Sequence, residues 1–244
     1  MKLRVCTGWS PRGREEYGQR FLAAFNRYWP GKVELQVWVE DADRDMGLMV
    51  ERDLWAIPGA REFAERHRDD PLMNGREPRD GWKQSDLRNR YSFRFDAYKF
   101  FKQILIPGAA ASGLDDGDIL VWLDGDTVTL RPVPFNFVPD LLGDADVAYL
   151  NRPPKHSEIG FWAVRINERT REFLRAMADL YTSDRFIQLA QWHSAYVWDR
   201  AREAAGLRER HLCPPGARGH VWPSSPLARY LRHDKGKRKE APHG

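Results

Sequence analysis

The stretch 119–130, "ILVWLDGDTVTL", places two carboxylates, Asp124 and Asp126, two residues apart directly behind five apolar residues. Asp-x-Asp triplets say little alone, and this chain holds five: Asp41/Asp43, Asp43/Asp45, Asp116/Asp118, Asp124/Asp126 and Asp144/Asp146. Only the fourth directly follows a run, Ile119 to Leu123, that is apolar on both alternate sets, the pattern of a strand buried on both faces. A solvated turn would explain the triplet by itself. At the end of a buried strand a second reading gains weight, because two like charges a few ångströms apart repel unless something positive sits between them. Gly125 lets the backbone turn tightly, so both carboxylates can converge on one hard cation.

Outward from this stretch, residues 2–6 read as a strand and 33–39 as an alternating strand. Between them 14–28 is an amphipathic helix with Tyr17, Phe21, Ala24, Phe25 and Tyr28 on one stripe. From 41 to 84 charges, prolines and glycines predict an irregular excursion with one short helix at 60–67, and loops of that length usually serve a site or are mobile. A helix is expected from Ser85 or Asp86, either a plausible N-cap, to about Leu105, where Pro107-Gly108 stops it. Strands follow at 118–123, 146–150 and 159–166, with a Pro-rich segment at 131–139, then helices at 168–181 and 185–205. This alternation predicts an α/β fold, a single Rossmann-like domain whose mostly parallel central sheet is flanked by helices. In such folds ligands gather at the carboxyl ends of strands.

At 244 residues, with 42% hydrophobic and 12% aromatic content, the chain can fill one sizeable core. No window approaches 18 uncharged apolar residues, and the start runs into a strand rather than a signal-peptide core, so a soluble, cytoplasmic protein is expected. Two cysteines, Cys6 and Cys213, make neither a disulfide framework nor a metal cluster. Formal charge is +4, and residues 229–240 alone carry six Lys/Arg against two acids, so the rest is balanced. A broad nucleic-acid face is therefore not indicated, whereas a local anion site near the C-terminus is. Trp9, Trp38, Trp55, Trp82, Trp162 and Trp192 read either as core or as stacking surface for a sugar acceptor.

The tail supplies a second constellation, His233, Gly236 and Lys239, spaced H-x-x-G-x-x-K. Neutral imidazole ligates Mn²⁺-type metals, glycine admits a phosphate close to backbone, and lysine offers it a point charge. Together with the apolar strand ending in Asp124/Asp126, the chain resembles metal-dependent glycosyltransferases of the GT-A fold, especially the glycogenin and lipopolysaccharide galactosyltransferase group. "FRFDAYKF", 93–100, is similar to the R-x-D-x-x-[RK]-[YF] stretch ahead of D-x-D in several such enzymes. The resemblance spans residues 2–6 and 85–239.

The resemblance implies that residues 1–228 form the catalytic domain and that the basic tail 229–244 completes its metal and diphosphate site. Asp124, Asp126 and His233 would bind Mn²⁺ or Mg²⁺, bridging the diphosphate of a nucleotide-sugar, with UDP the expected nucleotide. Gly236 and Lys239 would hold phosphates, and Thr7 and Gly8 would cradle the nucleobase. Arg94, Asp96 and Lys99 would contact donor ribose, sugar or phosphate. Glu158, two residues before Gly160, is the expected polar group beside the sugar, and His193 would touch sugar or acceptor, or else cap a helix. A hexosyl transfer to a carbohydrate or other hydroxyl acceptor, with retained anomeric configuration, is what the group usually catalyses. Two departures bear on that outcome: Trp192, His193 and Ser194 stand where the group carries an Asp-Gln pair, and Glu240-Ala241 replaces its Pro-Trp.

On a continuous helix from 85 to 105, at ~100° per residue, Leu87, Tyr91, Phe95, Tyr98, Phe101 and Leu105 form one stripe that includes Arg94. Ser92, Asp96, Lys99 and Gln103 fall on the opposite side, either open solvent or the wall of a site. An i,i+3 ion pair would explain Asp96 and Lys99 equally well. Two rival functions compete: a haloacid-dehalogenase-like phosphatase with Asp124 as nucleophile, and a nucleic-acid-binding module using the basic tail.

Overall fold

The computed structural model describes residues 1–41 and 51–234. Its centre is a seven-stranded sheet in the order β3 (Glu51–Asp53), β2 (Glu34–Val39), β1 (Leu3–Trp9), β4 (Ile119–Leu123), β7 (Glu158–Arg165), β6 (Val147–Leu150) and β8 (Glu209–His211). Parallel pairing joins β3, β2, β1 and β4, as it joins β6 to β8, and β7 runs against both its neighbours. The expected α/β class with a mostly parallel sheet is what the chain adopts. No helix among the described residues is long and apolar enough to cross a membrane.

Strand β4 shows why the sheet is covered on both sides. Leu120 and Trp122 enter one core, with α5 (Ala97–Ala110), α7 (Glu168–Thr182) and α8 (Ser194–Ala205); Ile119, Val121 and Leu123 enter the other, with α2 (Gln19–Tyr28) and α6 (Phe137–Leu142). All five are buried, as expected of a strand whose two alternating faces both meet helices. Of the six tryptophans weighed as stacking surface, Trp9, Trp162 and Trp192 are almost fully buried and serve as core.

Helix α2 is the last part of one continuous coil that begins at α1 (Pro11–Gly13), with Ser10 as N-cap, and widens to π geometry over Arg14–Gly18. The short α3 (Ala60–His67) lies where the short helix is expected. The continuous helix expected from 85 to 105 is not formed. Instead α4 (Gln84–Asn89) ends at Arg90 with φ +49°, and α5 starts afresh where Asp96 Oδ1 accepts from Lys99 N at 2.9 Å. Tertiary bonds take over the intervening backbone. Ser92 N donates to Gly75 O at 2.8 Å, Tyr98 N donates to Met73 O at 3.1 Å, and Asn74 bridges to Asp96. Gly75, at φ +63°, is required there, since a Cβ would lie 2.3 Å from Ser92 O.

Nor does Pro107 stop α5, which runs on to Ala110. The proline forfeits one amide bond near the helix end, and burial of Ile104, Leu105, Ile106 and Ala110 outweighs it. The helix expected at 185–205 is likewise divided, because Trp192 N and His193 N donate to Arg94 O at 2.7 and 3.2 Å and α8 begins only at Ser194.

Beyond Asp126 the chain forms β5 (Thr127–Thr129), which pairs antiparallel with β9 (Leu231–His233) in a separate two-stranded sheet. Neither strand is evident in the sequence pattern, being three residues long. Their register sets His233 opposite Thr127.

Gly8 tests the packing of β1. A Cβ there would lie 2.8 Å from Trp38 O and 2.4 Å from Ile106 Cδ1. Gly8→Ala should therefore lower stability by about 1–3 kcal/mol, the usual cost of overpacking, read as a reduced midpoint in urea unfolding. An unchanged midpoint would show that β2 and α5 yield freely.

Candidate functional site

The chain leaves β1 on one side toward β2 and reaches β4 on the other, so the carboxyl ends of β1 and β4 flank a topological switch point, where open α/β sheets hold ligands. A cleft of about 270 Å³ opens there. Gly8, Trp9 and Ser10 come to it from β1, Asp124, Gly125 and Asp126 from β4, and Lys99, Lys102 and Gln103 from α5.

His233 enters through the β5–β9 ladder, and Asp234 N donates to Asp126 O at 3.0 Å. Asp234 then anchors the strand end, because its buried carboxylate sits 3.1 Å from Arg20 of α2 and 2.8 Å from Arg232; a charge so deeply placed must be paired. The His233 ring packs on Trp222, with centroids 4.9 Å apart. As a result His233 Nε2 lies 2.8 Å from Asp126 Oδ1 and 3.5 Å from Asp124 Oδ2. One ligand atom from each of the three side chains falls within 4.8 Å of the others.

The group is made for close approach. Gly160 of β7 faces it, and a Cβ there would stand 2.7 Å from the His233 ring and 3.2 Å from Asp124 Oδ2. Asp124 Oδ1 is held by two donors, Trp122 Nε1 at 2.8 Å and Gln103 Nε2 at 2.9 Å. Two carboxylate oxygens and an imidazole nitrogen are a donor set suited to a divalent ion of the Mn²⁺ or Mg²⁺ kind. Gly125 serves differently from the tight turn expected of it. Its φ is not positive, and its missing side chain makes room for Tyr17 and Trp9, whose ring atoms would lie 2.8 and 3.0 Å from a Cβ.

The other expected site residues divide. Lys99 and Gly8 line the cleft. Thr7 is buried within the sheet beside it, with a hydroxyl that has no partner among the described residues. Glu158, at the start of β7, is buried, sits 3.3 Å from Arg152, and lies close enough to Asp124 to raise its pKa.

Arg94 and Asp96, expected to contact the donor, are not among the residues that line the cleft. Arg94 pairs with Asp86 and donates to Gly81 O at 2.9 Å. Asp96 caps α5 and accepts from Tyr91 OH at 2.8 Å. Both residues are used up where the helix breaks. His193 precedes α8 without capping it, bonds Gln191 at 3.1 Å and packs among Phe93, Phe100, His156 and Tyr196. Burial and the neighbouring His156 push its pKa down to about 3, so the ring is neutral and no proton donor at physiological pH. Gly236 and Lys239 lie outside the described residues.

Sequence reasoning missed Ser10, Tyr17 and Lys102 as cleft residues and Asp234 as the anchor; Trp9, weighed as core or as stacking surface, is buried and also lines the cleft. Gln103 carried a usable signal, since it shares a polar helix face with Lys99.

No protein-family model and no curated protein matches the chain. Solved structures do resemble it. One is a glycosyltransferase involved in the glycosylation of the major capsid of PBCV-1, at 10% identity and TM-score 0.49, covering 98% of this chain and 99% of that one. Another is the glycosyltransferase GlyE of Streptococcus pneumoniae, at 10% identity and TM-score 0.44, covering 87% of this chain and 45% of that one. A third is the galactosyltransferase LgtC in complex with donor and acceptor sugar analogs, at 10% identity and TM-score 0.39, covering 86% and 73%. All three are glycosyltransferases. With every score below 0.5, the fold stands on its own strand order and the site on its own geometry.

Electrostatics at the site has a measurable consequence. Burial, then the Asp126 charge, raise the Asp124 pKa from 3.8 to about 6. An acid with a raised folded pKa binds more protons folded than unfolded between those values, so stability is lost as pH rises from about 4 to about 6. Asp124→Asn removes this loss. The thermal midpoint of the metal-free wild type should fall relative to that of the variant across this window, and a constant difference would contradict the raised pKa of Asp124.

Proposed function

We propose that the protein is a metal-dependent glycosyltransferase, moving a sugar from a nucleotide-sugar, with UDP the expected nucleotide, to a hydroxyl acceptor. The observation that carries this reading is the convergence of Asp124, Asp126 and His233, one ligand atom each within 4.8 Å, at the mouth of a cleft on the switch point of the sheet. The GT-A resemblance of the sequence adds the substrate class, and on that resemblance Gly236 and Lys239 would hold the diphosphate. Residues 229–244 then complete the site of the domain formed by 1–228.

Bound between Asp124, Asp126 and His233, a divalent ion supplies the positive charge that a departing diphosphate requires. Two carboxylates hold such an ion tightly because their own repulsion is relieved by it. His233, packed against Trp222, presents a ring nitrogen to the ion. Lys99, which lines the same cleft from α5, contributes a further positive group toward the phosphates. Glu158, buried at the start of β7 and paired with Arg152, is the carboxylate assigned by this reading to the positive charge that develops on the sugar carbon. Trp9 and Tyr17, edge-to-face with centroids 6.3 Å apart, close the cleft beneath Gly125 and limit water there.

A two-ligand experiment tests the reading. Mn²⁺ alone should raise the thermal midpoint, and Mn²⁺ with a UDP-sugar should raise it further, since binding to the native state stabilises it. Asp126→Asn and His233→Ala should abolish both shifts and donor turnover while remaining folded. Full Mn²⁺-supported turnover by either variant would contradict the proposal. Hydrolysis of p-nitrophenyl phosphate in the absence of any sugar nucleotide would favour a phosphatase using Asp124 instead.

A further inference from the structure

Gln103 projects from α5 into the cleft wall, where its Nε2 donates to Asp124 Oδ1 at 2.9 Å. A carboxylate only accepts, so the atom turned toward it must be the amide nitrogen. The other end of the amide is held as well: Oε1 accepts from the hydroxyl of Ser194, the buried first residue of α8. The carboxylate sets which way the amide points, and the hydroxyl, able to donate, then pins the oxygen end in place. Trp122 Nε1 brings a second donor to the same Asp124 oxygen at 2.8 Å. The remaining oxygen, Oδ2, is directed at His233 Nε2, 3.5 Å away, and at the space left open by Gly160.

We infer that Gln103, oriented by Ser194, is a positioning residue for the metal group: together with Trp122 it occupies Oδ1 of Asp124 and leaves Oδ2 as the ligand. This rests on the proposed metal site. An untethered aspartate can rotate about its last torsion and offer either oxygen or both. With Oδ1 bonded twice, the carboxylate is already turned toward Asp126 and His233 before any ion arrives, and the ordering cost falls outside the binding step. Partners of this kind set metal affinity without touching the metal. The relay also links α8 to the site, through a serine that no carboxylate motif marks.

Calorimetric titration of Mn²⁺ into the full chain, without sugar nucleotide, tests the role. Gln103→Leu keeps a side chain of similar size and removes the amide; its Mn²⁺ affinity should fall about 10- to 100-fold, while the metal-free thermal midpoint drops modestly for the two hydrogen bonds lost. Ser194→Ala should weaken binding less. The double variant should bind no more weakly than Gln103→Leu alone, because Ser194 acts only through Gln103. Wild-type affinity in Gln103→Leu, where Asp126→Asn has lost binding, would overturn the positioning role and leave the metal site standing. Additive losses in the double variant would overturn the relay. Should Gln103→Leu fail to fold, Ser194→Ala decides alone, and unchanged affinity there overturns the relay. A wild-type chain that takes up no Mn²⁺ overturns the metal site and this role with it.

Discussion

Everything at the cleft follows from the repulsion between two aspartates held at the end of a strand that is buried on both faces. Asp124 cannot turn away, because Trp122 and Gln103 grip one of its oxygens, and Asp126 is fixed by the short strand that follows it. Among the described residues, the donors Trp122 and Gln103 and the imidazole of His233 meet this charge.

The rest of the architecture serves to bring a residue from position 233 to one at 126. The two-stranded β5–β9 sheet provides the register, and the Asp234 ion pairs to Arg20 and Arg232 tie that register to α2. Glycines on two strand ends create the room. Gly160 lets β7 approach the three ligand groups, and Gly8 lets β1 pass between Trp38 and Ile106. Aromatic residues Trp9 and Tyr17 then form the floor beside Gly125.

Much of this was legible in the sequence wherever one local pattern decides the structure. The all-apolar run before Asp124 gave the central strand, since burial on both faces leaves no place for a polar residue, and the alternation of strands and helices gave the sheet. What escaped was set by distant contacts. Residues 90–96 have helical periodicity, yet their backbone groups are drawn to 73–75, and the resulting break turns Arg94 and Asp96 from wall residues into structural ties. Strands of three residues, β5 and β9 among them, carry no period to read. Gln103 was visible as a polar residue on a helix face; only the packing of α8 against α5 reveals that Ser194 aims it at Asp124.

Anomalous diffraction from a crystal grown with Mn²⁺ tests the central claim most directly. One peak should appear in contact with Asp124 Oδ2, Asp126 Oδ1 and His233 Nε2, each about 2.0–2.6 Å away, with Asp124 Oδ1 still bonded to Gln103 and Trp122. An ordered site with no peak at saturating Mn²⁺, or a peak bound elsewhere, would contradict it.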